Sequence, residues 1–266
     1  MLKIGADSSN AFIQQSQQKQ ESLFEKLASG KKVNSAADDA AALQIIDRLT
    51  SEVEGNRQAI SNVYDGISLA QVAEGGLGSI TSDVDRIREL TLQSGSGALT
   101  DIDRSAIQDE ISQLQSNISS TIEQTNFAGK PLLAQDGALS IQAGVGAVQT
   151  IDVETQDIAA KISDVLAIDL TAGTSVEDAL NAADTAIETI GGARGNLGAT
   201  LNRFESAAQN LTQGSISAAQ SRSRLQDLDF AQASSELAAN DVRQRAATTI
   251  QAQSNQRQDQ VLALLS

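Results

Sequence analysis

Between Val176 and Leu225 the apolar residues step by four and three with almost no error. They run Val176, Leu180, Ala183, Ile187 and Ile190, then Leu197, Leu201, Phe204, Ala208 and Leu211, and the phase recovers at Ala218 and Leu225. Arg194, Ser215 and Arg222 are the interruptions. This spacing lays one narrow apolar seam along a helix, and sustained over about seven heptads it is a coiled-coil pattern. Such a seam is not stable alone, so the chain has to supply partner helices.

Composition agrees with long helices joined through small side chains. Aromatic residues make up 2% of the 266, Trp is absent and Tyr64 is the one tyrosine, which leaves the packing to Ala, Leu, Ile and Val. Pro131 is the only proline, so almost nothing breaks a helix. The chain has neither Cys nor His. That excludes thiolate nucleophiles, Ser-His triads, histidine bases and the usual zinc sites, and no cofactor is expected. Without cysteine the fold does not depend on oxidation. A formal net charge of -15 suits solubility and argues against nucleic acid and anionic membranes as partners. The opening MLKIGADSSNAFIQQSQQKQ lacks the continuous apolar region of a signal peptide. No stretch approaches the ~18 apolar residues of a membrane span, and these features alone read as cytoplasmic.

Taken in order, residues 7–27 are rich in Gln and Ser, with Phe12, Ile13, Leu23, Phe24 and Leu27 as an apolar minority. They predict a helix that is ordered by packing against something else. Gly30 is a helix stop, Lys31 and Lys32 sit at the negative end of that helix, and Ser35, Asp38 and Asp39 are placed to cap the next. The segment between reads as a short non-helical spoke. A second seam runs Ile46, Leu49, Val53, Ile60, Val63, Ile67 and Ala70, then Leu77, Ile80, Val84 and Ile87 after a three-residue slip. Unbroken to Leu92, it spans roughly 70 Å at ~1.5 Å per residue. Its five glycines, Gly55, Gly66, Gly75, Gly76 and Gly78, are explained either by close helix packing or by flexibility.

SGSGALTD, residues 94–101, is a turn that ends in an N-cap at Thr100 or Asp101. The third seam, Ile107, Ile111, Leu114, Ile118 and Ile122, should fold back antiparallel on the second. Leu139, Ile141 and Ala143 alternate, as do Ile151 and Val153 beyond Gly144 and Gly146, which predicts a β-hairpin around 138–155. Residues 165–170 read as extended, and Thr174 or Ser175 caps the long seam helix. The phase is lost at LQDLDFAQASSE, after which 231–266 are again helical. The fold class is therefore mainly α, an elongated antiparallel helical bundle or coiled coil with a small β-hairpin and two weakly amphipathic ends.

Several segments resemble bacterial flagellin. LASGKKVNSAADDAAALQI is similar to the family's N-terminal motif, with Ala42 where glycine is more usual. NVYDGISLAQVAEGGL, DRIRELTLQS and IQDEISQL resemble its first core domain, while LGATLNRFESA, SRSRLQDLDFA and NQRQDQVLALL resemble its C-terminal half. The match covers nearly the whole chain in order. Only residues 133–174 separate the conserved halves, where family members often carry large variable domains, so the chain resembles a minimal flagellin. It departs from the pattern at a start a few residues short, at Gln14, Gln15, Gln17 and Gln18, at Asp85 in place of Gln, and at Gln258 in place of proline.

The resemblance implies a structural subunit that polymerises into the flagellar filament used for motility, and no enzyme. Residues 1–44 with 225–266 would form the discontinuous filament-core domain, and 45–224 the helical core domain. Terminal packing would fall to Leu23, Leu27, Leu237, Val242, Ile250, Val261, Leu262, Leu264 and Leu265. The implied partners are further copies of the chain, an export chaperone, the filament cap and the hook-associated proteins. The implied location is extracellular, after export without a cleaved signal. Arg86, Leu90 and Glu110 match positions through which some flagellins contact the vertebrate Toll-like receptor that senses them. A hook–filament junction protein is the alternative, since it shares the terminal segments. A metallopeptidase-bearing flagellin would need HExxH, which a chain without histidine lacks. A chemoreceptor-like signalling bundle would be interrupted by the hairpin.

Overall fold

The structure is a computed structural model that describes residues 3–171 and 173–265, with side chains described for 11–171, 173–254, 256 and 257. The described chain is ordered α1 (Lys3–Ser29), α2 (Ala40–Ser94), α3 (Asp101–Gln124), β1 (Asn126–Phe127), β2 (Lys130–Pro131), β3 (Gly137–Gln142), β4 (Thr150–Thr155), α4 (Ile158–Lys161), α5 (Ser163–Leu166), α6 (Val176–Gln226) and α7 (Phe230–Leu265). It forms two units: Glu54–Ser215, and Met1–Val53 together with Ile216–Ser266.

In Glu54–Ser215 the long seams meet. Arg88 bonds Asp184, Glu74 bonds Arg194, and Gly66 abuts Phe204, so α6 numbers rise as α2 numbers fall and the two helices run antiparallel. Arg86 with Glu110, and Gly76 with Thr125, give α3 the same antiparallel sense against α2. Val63, Leu77, Ile80, Val84, Ile87 and Leu90 of α2 are buried with Ile107, Ile111, Ile118 and Ile122 of α3 and Ile190, Leu197 and Phe204 of α6. The α2 helix continues through the expected slip at Gly75 and Gly76 without a break. Close neighbours explain Gly55, Gly66 and Gly76, whereas nothing lies near Gly75 or Gly78.

Thr100 caps α3 through a capping box, its hydroxyl accepting from Asp103 N–H while the Asp103 carboxylate accepts from Thr100 N–H at 2.9 Å. Ser175 caps α6, its hydroxyl accepting from Asp178 N–H at 3.0 Å. Strands β3 and β4 pair antiparallel from Gly137↔Thr155 to Gln142↔Thr150, as the alternation predicts, with Ile151, Val153 and Thr155 facing inward.

Three details differ from the sequence reading. Residues 165–170 are not extended. Ile158, Ile162, Val165 and Ile168 are buried at helical spacing, Asp157 caps α4 through Ala160 N–H, and Gln115 of α3 donates to Val165 O and Ile168 O, so short helical turns replace a strand. The seam of α6 turns toward alanine, burying Ala179, Ala183 and Ala186 and leaving Leu180 and Ile187 half-buried, because an α-helix drifts from a strict seven-residue repeat. Finally β1 and β2 form a minimal hairpin whose turn holds Ala128 at φ 50 and Gly129 at φ 79.

In the second unit α1 stops where Gly30 takes φ 69. Here the chain passes α6's end: Lys32 N–H donates to Gln226 O at 2.6 Å and Leu228 N–H donates to Gly30 O at 3.0 Å. Lys32 Nζ caps Arg224 O. Asp39 caps α2 through Ala42 N–H and Asp229 caps α7 through Ala231 and Gln232 N–H. Val33, Ile46, Val53 and Ala218 are buried in this unit.

Candidate functional site

The surfaces that matter for a chain without catalytic side chains are those that join it to something else, and α1 and α7 carry the most unusual one. Along α1 the inward positions are Ile13, Ser16, Gln20, Leu23 and Leu27, and along α7 they are Ala233, Leu237, Asn240, Gln244, Ala247 and Gln251. Both rows step by three and four, so each helix presents a heptad face to the other, but nearly half the places are polar. Ser16 and Asn240 are 6% and 4% exposed and bond each other: Ser16 Oγ donates to Asn240 Oδ1 at 3.1 Å, and Asn240 Nδ2 donates to Ser16 O at 2.9 Å. Gln251 Oε1 is buried without a bonding partner among the described residues.

Of the terminal residues marked from sequence, Leu23 is buried, and Leu27 and Leu237 are half-buried on this shared face. Val242 and Ile250 are 66% and 63% exposed on α7. Phe12 and Phe24 of α1, and Phe230 at the start of α7, are exposed too. The side chains of Val261, Leu262, Leu264 and Leu265 lie outside the described residues. Sequence reading missed Ser16, Gln20, Asn240 and Gln244 because it followed apolar residues. The signal was a constant three-four step continued through polar ones.

A second cluster lies on Glu54–Ser215. Arg86 Nε donates to Glu110 Oε1 at 2.9 Å and its Nη1 to Glu89 Oε2 at 3.0 Å, and these bonds, that to Glu110 first, raise the guanidinium pKa. The pair is exposed and bridges α2 to α3. Leu90, marked with these two from the motif, points instead into the core at 2% exposure. Only Arg86 and Glu110 of the three are presented at the surface.

Arg194, an interruption in the long seam, pairs within the chain: its Nε and Nη2 reach Glu74 Oε1 at 2.8 and 2.7 Å. A groove of about 350 Å³ lies beside β4, lined by Leu69, Leu132, Val153, Gln156, Asn196 and Arg203. No three acidic side chains among the described residues gather to hold a metal, and no described helix is long and apolar enough to cross a membrane.

Family models for the bacterial flagellin N-terminal helical region and C-terminal helical region match residues 4–138 and 180–265. The flagellin of Halalkalibacterium halodurans is 35% identical over 246 residues, 91% of this chain and 90% of that protein. Among solved structures, the crystal structure of Bacillus cereus flagellin matches with a TM-score of 0.51 and 26% identity, over 57% of this chain and 88% of that one. A putative flagellar hook-associated protein from Vibrio parahaemolyticus shares the fold at a TM-score of 0.61 and 18% identity, covering 71% of this chain and all of that one, 100%. Both terminal helical regions and most of the length between them are thus accounted for, and the chain belongs to the bacterial flagellin family, a family of structural proteins.

Proposed function

We infer that the chain is the structural subunit that polymerises with copies of itself into a bacterial flagellar filament used for motility. The observation that carries this is the match of both helical regions together with 35% identity to a flagellin over 91% of the chain. The family places the subunit in the filament, joined to hook-associated components. The likeness to a hook-associated protein is one of fold alone and does not favour that reading of this chain. Expression in a bacterium that lacks its own flagellin tests the function. Filaments and swimming should return, and a stub of hook alone would contradict the reading.

At finer grain, residues 1–44 with 225–266 are assigned to the filament-core domain and 45–224 to the helical core domain. The support is the polar α1/α7 face, which is too poor in apolar area to hold two helices firmly on its own. Leu23, Leu27 and Leu237 then pack α1 on α7, while the exposed Val242 and Ile250 are placed to meet neighbouring copies. Export without a cleaved signal, an export chaperone and the filament cap are assigned from family resemblance. Absence of cysteine and a single proline favour threading of an unfolded chain through a channel and its refolding beyond. Recognition by the flagellin-sensing Toll-like receptor is assigned to Arg86 and Glu110, with Leu90 supporting the helix from beneath. A receptor-reporter assay in which Arg86→Ala leaves the response unchanged would remove that assignment.

A further inference from the structure

The α1/α7 face poses a problem of alignment. Apolar heptad seams fix their register by the fit of large side chains, but here Gln20, Gln244 and Gln251 fill inward places, and their long flexible amides can bond in several alignments. The adjoining ends are tied by the backbone bonds at Gly30 and Lys32. Ser16 lies thirteen residues before Ser29, where α1 ends, about 20 Å along the axis at ~1.5 Å per residue. At that distance the tie constrains neither the rotation nor the slide of one helix on the other tightly. Halfway along α1 stands a buried pair that uses both groups of an asparagine at once, the amide nitrogen on Ser16 O and the amide oxygen on Ser16 Oγ.

We propose that Ser16 and Asn240 set the register of the α1/α7 coiled coil, and so fix which apolar residues, Phe12 and Phe24 on one helix and Val242 and Ile250 on the other, a neighbouring copy meets. The inference rests on the filament reading for its consequence and on the geometry of the pair for its mechanism. A single polar pair at an inward heptad place can specify alignment at some expense in stability, because an alignment that sets it against an apolar residue leaves it buried without partners. Sliding α7 by one heptad toward Gly30 sets Asn240 against Leu23, which offers no side-chain donor or acceptor. Asn240→Leu removes the penalty and turns the place into one that packs in either alignment. The variant therefore gains helix pairing and loses selectivity.

The absence of cysteine makes the register directly readable in the full chain. Ile13→Cys with Gln244→Cys reports the observed alignment, because both lie one step beyond the pair, and Ile13→Cys with Gln251→Cys reports the slid one. Disulfide geometry tolerates no such displacement. With Asn240 present, the first pair should cross-link in preference to the second by on the order of tenfold. With Asn240→Leu the two yields should converge, while helix content is kept or rises. In electron micrographs the Asn240→Leu chain should give irregular or fewer filaments. Equal yields with Asn240 present, or selectivity retained in Asn240→Leu, would overturn the proposal. Failure of the unsubstituted chain to form filaments would overturn the filament reading instead, and the cross-link ratio would still decide the register.

Discussion

The ring of Phe204 fills the space that a side chain on Gly66 would need: a β-carbon at residue 66 would lie 2.6 Å from Phe204 Cζ and 2.8 Å from its Cε1. The glycine in the middle of α2 is therefore a receptacle for the largest fully buried side chain of α6. Phe204→Ala should cost about 3–5 kcal/mol in denaturant unfolding. Gly66→Ala alone should cost about 1–3 kcal/mol by overpacking, despite alanine's better helix propensity. In the Phe204→Ala background the sign should reverse, since the added methyl enters vacated space and the propensity gain remains. Strict additivity of the two changes would contradict this packing.

Arg194 and Glu74 join α6 to α2 from half-exposed positions. Ion pairs of that exposure contribute little, so Arg194→Ala should lower the melting temperature only slightly and leave filament growth per folded molecule unchanged. Normal melting with impaired growth would instead make Arg194 a contact between copies.

Asp38 organises the spoke. It accepts the N–H groups of Asn34 and Ser35 at 3.1 and 3.0 Å and faces Lys26 Nζ at 3.3 Å. These bonds, that from Asn34 first, hold its pKa down to about 2 from the usual 3.8. A carboxylate whose folded pKa is depressed supports the fold fully above its unfolded value and loses that support as pH falls through the folded one. The protection of the Asn34 and Ser35 amides, taken against their intrinsic exchange at each pH, should hold down to about pH 4 and fall as the pH approaches 2. Asp38→Asn should remove the pH dependence. A spoke equally protected at both ends of that window would refute the role.

Much of this was legible because caps and apolar spacing are local signals. Thr100 as a cap, Gly30, and the alternation Leu139, Ile141 against Ile151, Val153 each name their structure within a few residues. The turns at 158–168 were not, because four-residue helices offer one turn of pattern and the bonds from Gln108 and Gln115 that hold them come from fifty or more residues away. Ala128 at positive φ had no signal either, since alanine rarely adopts that conformation. Among the site residues, Leu23 and Leu237 could be read from hydropathy. Ser16 and Asn240 carry no hydropathy signal, and only the three-four step continued through them marks their place.

The polar face of α1 and α7 also predicts where the chain opens first. Limited proteolysis of the monomer should cut within 3–29 and 230–265 well before it cuts within 54–215, whose helices share the continuous apolar core. In the polymer the same segments should be protected. An early cut in α3, or equal susceptibility of the ends in both states, would contradict this order of stability.

The central claim is assembly through the terminal helices, and negative-stain electron microscopy of purified protein tests it most directly. The full chain, seeded with short fragments of itself, should extend into long filaments of uniform width. A chain lacking 230–265 should keep the helical signal of its remaining helices and stay monomeric. A full chain that remains monomeric under these conditions, or filaments that grow as well without 230–265, would contradict the account.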